Sequence, residues 1–364
     1  MSAAGAAPLR VGVIGCGEIA QLMHLPLLHE LDEVTIAGLC DLSAQTLERL
    51  GERYGVALRT TDHAELLASP QIDAVVVCTY DHAPVVAVAI AAGKHVLVEK
   101  PLAFTAAEAR PLVAAAQEAG VVALVGYMKL YDPAVERAIA QVAAMRGRRS
   151  IHVHDFAGRF DRHGELYTQV RGDDVPAELL AAGRADVAAR IAAALGPERA
   201  GHGELYALLL MLGSHDLAVL RAVCGPTARV VHAQAHGDDH LLAVLEQADG
   251  LPCVLEIAVG TSYEWWDEWL SIHGADRELR IEFPNPYIRY APTVLRLREG
   301  WDGSPSERVA PISHDSSFRR QWRHFAACVR GEERPRTPLA DGLRDLELAE
   351  AVIAAMAPRP QVAA

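Results

Sequence analysis

The chain has 364 residues, 51% of them hydrophobic, and a formal net charge of −13. That length and apolar content support a large core and about two domains. The acidic balance argues against non-specific nucleic-acid binding, which needs basic patches.

The six cysteines, at 16, 40, 78, 224, 253 and 328, include no C-x-x-C pair and read as reduced thiols. The residues before Arg10 lack the basic and apolar regions of a signal peptide. No uninterrupted apolar stretch looks long enough to span a bilayer. A cytoplasmic protein with no membrane and no nucleic-acid partner is therefore expected.

Residues 11–20 open with an apolar run, Val11, Val13 and Ile14, of the kind a buried parallel strand needs. Gly15 and Gly17 follow, then Glu18, Ile19 and Ala20, which makes the G-x-G-x-x-A form of a dinucleotide fingerprint. Its phosphates would sit at a helix N-terminus. By itself such a turn is weak evidence. The next strand, Val34 to Cys40, ends at Asp41, near the spacing of a ribose-binding acid. A carboxylate there favours NAD without excluding NADP.

A helix over 18–31 is expected, with Pro26 as a kink. Ser43 to Tyr54 reads as a second helix, stopped by Gly55. Asp62-His63-Ala64-Glu65 and Thr105-Ala106-Ala107-Glu108 match capping boxes. Strands at 72–79, 95–98 and 121–125 each end in polar or charged residues. The strand–helix rhythm predicts an α/β fold with a doubly wound parallel sheet.

Cys78-Thr79-Tyr80-Asp81-His82, the run Gly93-Lys94-His95-Val96-Leu97-Val98-Glu99-Lys100-Pro101, and Gly126-Tyr127-Met128 through Tyr131-Asp132-Pro133 together resemble the Gfo/Idh/MocA oxidoreductases. The likeness is close over 10–135 and looser beyond. It implies an N-terminal NAD(P)-binding Rossmann domain, 1–126. It also implies a C-terminal α+β domain, 127–364, with a large, mostly antiparallel open sheet for substrate binding and oligomerisation. The C-terminal helices are expected to pack back towards the first domain. Such proteins oxidise a secondary hydroxyl, or reduce the ketone, of sugars, cyclitols and similar polyols.

Carried over, Gly15, Gly17, Glu18, Ile19, Asp41, Thr79, His82, Glu99 and Lys100 hold the cofactor. Lys100, followed by a proline commonly cis in the family, meets the reacting oxygen. Tyr127, Lys129, His154, Asp155, Arg159 and Asp216 are candidate substrate contacts. A homodimer or homotetramer through the C-terminal sheet is implied as well.

Asp132-Pro133 starts a helix, and Ser150 to Asp155 alternates like a strand. His152 and His154 face one side of it. With no third ligand at a recognisable spacing, no metal is expected. His236 and His240 flank a hairpin turn at Gly237-Asp238-Asp239. Residues 156–205 match the family poorly and read as an inserted, partly helical segment, either a lid or surface decoration.

His215, ahead of a helix ending near Gly225-Pro226, fits the family's general acid–base histidine. Four residues earlier, where many members carry aspartate, stands Met211. Either His215 works with Lys100 alone, or Asp155, Asp161 or Glu204 replaces the missing carboxylate, or the chemistry is altered or lost. Strands follow from Arg229 to Arg298. Tyr263, Trp265, Trp266 and Trp269 would stack on a sugar or fill an oligomer interface. Helices at 316–330 and 339–356 close the chain, and 357–364 reads as a disordered tail.

The resulting expectation is an NAD-dependent sugar or polyol dehydrogenase. A redox-neutral enzyme working through a transient keto-sugar, or a non-catalytic nicotinamide-binding regulator, are the alternatives.

Overall fold

Strands covered on both faces need continuous apolar runs, and the first half of the chain supplies them. A computed structural model describes residues 7–158, 167–259, 265–301 and 303–360. Arg159, Asp161 and Tyr263 lie outside the described residues. The chain divides into two compact units. Unit 1 comprises Met1–Gly126, Gly164–Val187 and Phe318–Leu343. Unit 2 comprises Tyr127–His163, Ala188–Ser317 and Arg344–Ala364.

Unit 1 alternates strand and helix. In order these are β1 (Leu9–Ile14), α1 (Leu25–Glu30), β2 (Val34–Cys40), α2 (Ala44–Tyr54), β3 (Arg59–Thr60) and α3 (His63–Ala68), then β4 (Ala74–Val77), α4 (Ala83–Ala91), β5 (His95–Val98), α5 (Ala106–Ala119) and β6 (Ala123–Val125). The strands form one parallel sheet in the order β3-β2-β1-β4-β5-β6. The direction of winding reverses between β1 and β4. In open α/β sheets the crevice at such a switch point is where ligands bind.

Local chemistry explains the helix ends. Ser43 caps α2 by accepting from Thr46 N, and Gly55 closes it in the left-handed region. Thr105 and Glu108 form a complete capping box on α5. The box expected at Asp62 is only half formed. Asp62 accepts from Ala64 N, but Glu65 accepts from the Thr60 hydroxyl instead of reaching back. Helical residues run unbroken from 18 to 30, as expected of the first helix, and its irregularity is a π segment at Ala20–His24 just before Pro26.

Unit 2 holds α6 (Pro133–Ala143), β7 (Ser150–Phe156), the last part of α7 (Ala177–Leu195), α8 (Gly203–Leu208) and α9 (Ser214–Cys224). The strands β8 (Thr227–His236), β9 (His240–Gln247), β10 (Pro252–Ala258), β11 (Asp267–His273), β12 (Arg277–Phe283), β13 (Val294–Trp301) and β14 (Ser304–Pro311) follow. With β7 they make an eight-stranded sheet, β14-β13-β12-β11-β7-β10-β9-β8, antiparallel except where β7 meets β10. Inward residues alternate with half-exposed ones, and α6 and α9 pack on the inward face. β14 escapes sequence reading because it is an edge strand of mostly exposed polar residues with no apolar alternation.

The chain ends with α10 (Ser317–Val329), which joins unit 1, and α11 (Leu339–Ala354).

Two expectations need correction. Ala200–Cys224 is one helical run long and apolar enough to cross a membrane, yet 67% of its apolar window is buried in the protein, as in a core helix. Residues 357–360 are held in place rather than loose. His202 Nε2 bonds the Ala357 carbonyl, Arg359 N donates to Glu198 O at 2.7 Å, and Arg359 pairs with Asp238.

Candidate active site

Unit 1 carries a cavity of about 600 Å³ at the carboxyl ends of β1 and β4, within the range of small-molecule sites. Gly15 forms its floor at φ +88°, where a Cβ would come within 2.7 Å of the Cys78–Thr79 peptide. No side chain fits there. At Gly17 a Cβ would meet nothing within 4 Å, so this backbone faces open space. Asp41 stands on the same wall. Its carboxylate accepts from Cys16 N at 2.7 Å and from Ser43 N at 2.9 Å, which ties the glycine turn to the start of α2. Each oxygen keeps a lone pair for ribose hydroxyls. The cradle and the acid therefore fit a nicotinamide dinucleotide.

Glu18 and Thr79 also line the cavity; Ile19, His82, Glu99 and Lys100 do not. The last three form a braced strand end beyond β5. His82 is buried, which pushes its pKa down, and because a carbonyl only accepts, its Nδ1–H donates to the Pro101 carbonyl at 2.6 Å. Glu99 is buried too. Burial is the largest influence and would raise its pKa, but the bond from His24 Nε2 at 2.9 Å together with the nearby His24, Lys100 and His82 charges holds the carboxyl low. Trp322 Nε1 donates to His24 Nδ1 at 3.1 Å, so the histidine proton sits on Nε2, facing Glu99. The other Glu99 oxygen accepts from Lys100 N at 3.2 Å. Lys100 is half-buried, and its peptide to Pro101 is cis. His24 and Trp322 were not legible beforehand, since 298 residues separate them.

Unit 2 gathers another set. Tyr127 and His215 meet edge to face with ring centroids 6.4 Å apart. Lys129, Asp155, Asp216 and Glu268 are all buried. Lys129 pairs with Glu268, whose other oxygen accepts from Trp266 Nε1 at 2.9 Å. Burial would lower the Lys129 pKa, but the Glu268, Asp216 and Asp155 carboxylates raise it. Burial, with Asp155 and Glu268 nearby, pushes the Asp216 carboxyl well above the ordinary aspartate range, and Asp216 and Asp155 share a hydrogen bond. The three carboxylates bring one oxygen each within 4.8 Å of one another, and the Lys129 ammonium answers their charge. Glu268 carries no motif that would have marked it.

His154 does not join this set. Successive strand residues face opposite sides, so Asp155 points inward and His154 to the other face. There His154 stacks on Trp269 and Phe156, beside Glu256 and Asp267. Met211 is 58% exposed, and Glu204 is exposed as well.

A parallel sheet with a glycine cradle and a ribose-side acid, followed by a broad open sheet, defines a dinucleotide-binding oxidoreductase fold. Residues 9–127 match the model of an oxidoreductase family's NAD-binding Rossmann fold, and residues 206–363 match the same family's C-terminal alpha/beta domain. The chain belongs to the Gfo/Idh/MocA oxidoreductase family.

It is 25% identical to a D-apiose dehydrogenase of Paraburkholderia graminis over 356 residues, 93% of this chain and 85% of that protein. It is 36% identical to an inositol 2-dehydrogenase of Paracoccus denitrificans over 167 residues, 44% of this chain and 48% of that one. In fold it resembles KijD10, a 3-ketoreductase from Actinomadura kijaniata in complex with NADP and TDP-benzene. The TM-score is 0.73 at 23% identity, covering 96% of this chain and 98% of that one. An aldose-aldose oxidoreductase from Caulobacter crescentus, complexed with glycerol, superposes with a TM-score of 0.74 at 23% identity, covering 96% and 97%.

Proposed function

We propose that the protein is an NAD-dependent oxidoreductase acting on a secondary hydroxyl, or the matching ketone, of a sugar, cyclitol or glycoside-like polyol. The observation that carries this reading is the unit 1 cavity, with Gly15 too crowded for any side chain and Asp41 locked beside it. Curated relatives that act on apiose and inositol support the substrate class. Residues 1–126 are proposed to hold the nucleotide, and 127–364 to take the substrate.

Bound nicotinamide would supply hydride exchange. In this reading the Lys100 ammonium hydrogen-bonds the reacting oxygen and stabilises its developing negative charge. His215 takes the hydroxyl proton, as an imidazole with a pKa near working pH can. Tyr127 lies against that imidazole and limits its swing. Met211 cannot orient an imidazolium. We assign the electrostatic support instead to the buried Asp155–Asp216 pair and Lys129. The half-exposed face of the open sheet, with Trp265 71% exposed, supports a homodimer or homotetramer formed there. Six free cysteines accord with a cytoplasmic setting.

The test is a pair of variants. Lys100→Met should still bind NADH while losing turnover by roughly 10²-fold or more. His215→Ala should lose about 10²-fold and flatten the pH–rate profile. An unchanged profile in His215→Ala removes the acid–base role. Met211 supports a second reading, a non-catalytic nicotinamide-binding regulator. That reading expects binding of NAD and sugar without turnover at any pH.

A further inference from the structure

The segment after β7 that matches the family poorly returns to unit 1 and forms part of the cavity wall. Gln169, Val170, Arg171 and Gly172 line the cavity together with Asp41 and Ser43. Two clasps hold this strap. At one end Gln21 Nε2 donates to Val170 O at 2.8 Å while Gln21 Oε1 accepts from Val170 N at 2.7 Å. At the other, Gly172 N donates to the Thr46 hydroxyl at 3.1 Å. A Cβ at Gly172 would collide with Ser43 Oγ and Asp174 Oδ1, so the strap crosses α2 at backbone contact.

Asp174 then reaches the start of α2. Its carboxylate accepts from Ser43 Oγ and, at 3.1 Å, from Gln45 N. These donors, a capping hydroxyl and a first-turn N–H beside the ribose-side acid, are the groups an extra phosphate on that ribose would seek. A carboxylate already holds them. Asp41 and Glu18 add negative charge to the wall. Arg171 is the one lysine or arginine among the described lining residues, and its guanidinium lies 3.4 Å from Gln169 Oε1.

We propose that Asp174, carried in by the strap, is a specificity-determining residue that occupies the 2′-phosphate position and selects NAD over NADP. This deepens the function proposed above and rests on it. Asp41 discriminates through the ribose hydroxyls, and Asp174 discriminates by holding the donors a phosphate needs. Asp174 is therefore the part of the selectivity that removing Asp41 leaves behind.

The test is binding of NADH and NADPH to the full chain, followed by quenching of tryptophan fluorescence. The wild type should bind NADH about tenfold or more tightly than NADPH. Asp174→Asn and Asp174→Ala should each move the ratio of the two Kd values about tenfold towards NADPH, the size expected for removing one charge close to a phosphate. Gln21→Ala loosens the strap that carries Asp174, so it should move the ratio the same way by a smaller factor. A wild-type preference for NADPH, or an unchanged ratio in both Asp174 variants, overturns the proposal. Failure of the wild type to bind either cofactor instead overturns the dinucleotide reading itself.

Discussion

Asp216 follows His215 directly, yet the two side chains live in different surroundings. The imidazole is half-buried, whereas the carboxyl is enclosed with Asp155, Glu268 and Lys129. A carboxyl whose folded pKa is raised keeps its proton to higher pH in the native state than in the unfolded chain. Its burial therefore lowers stability increasingly as pH rises above the ordinary aspartate value of about 3.9. Asp216→Asn keeps the shape and a donor for Asp155. It should raise the Tm at pH 7 relative to wild type, with the difference shrinking towards pH 3.5. A gain that is the same at both values would mean that Asp216 is ionised in the folded protein. Glu99 has the opposite sign. Its folded pKa is held low, so its contribution is present above the ordinary glutamate value of about 4.3 and is lost only as pH falls below that. Glu99→Gln should lower the Tm at pH 7, and the deficit should close under acid.

At the scale of elements, the first half of the chain was legible because local rules suffice there. Apolar runs marked β1, β2, β4 and β5, and cap chemistry marked α2 and α5. Thr105→Ala should cost about 1 kcal/mol by chemical denaturation, the usual worth of such a cap. The glycine turn allows a sharper comparison. Gly15→Ala forces a Cβ against the Cys78–Thr79 backbone, so it should lower the Tm and weaken NADH binding by about tenfold or more. Gly17→Ala meets no protein atom within 4 Å, so it should weaken NADH binding while leaving the Tm within about 1 °C. Equal effects on Tm would contradict the cradle. What stayed hidden obeys longer-range rules. β14 has no apolar rhythm, and His154, expected beside Asp155 among the substrate contacts, stands on the opposite face of the sheet. The Glu65 carboxylate had a nearer hydroxyl to choose.

At the scale of the molecule, the two sheets follow from composition and motif, but the chain's returns do not. Residues 164–187 and 318–343 rejoin unit 1 from the second half of the sequence. Their anchors are single pairs such as Gln21–Val170 and His24–Trp322, which no periodicity announces. Residues 357–360 belong to the terminal stretch 357–364 that was expected to be loose, yet backbone bonds to Gly201 and Glu198 hold them. The unit 1 cavity and the Lys100 strand end are the features on which the functional account turns. The most direct test follows absorbance at the reduced-nicotinamide band while the wild type and Lys100→Met are each offered NAD with polyols, cyclitols and their phosphates. NADH should accumulate with at least one secondary alcohol for the wild type and fall by roughly 10²-fold or more in the variant. Equal rates in the two proteins, or a wild type that binds NAD yet reduces none of it with any alcohol at any pH, would contradict the account.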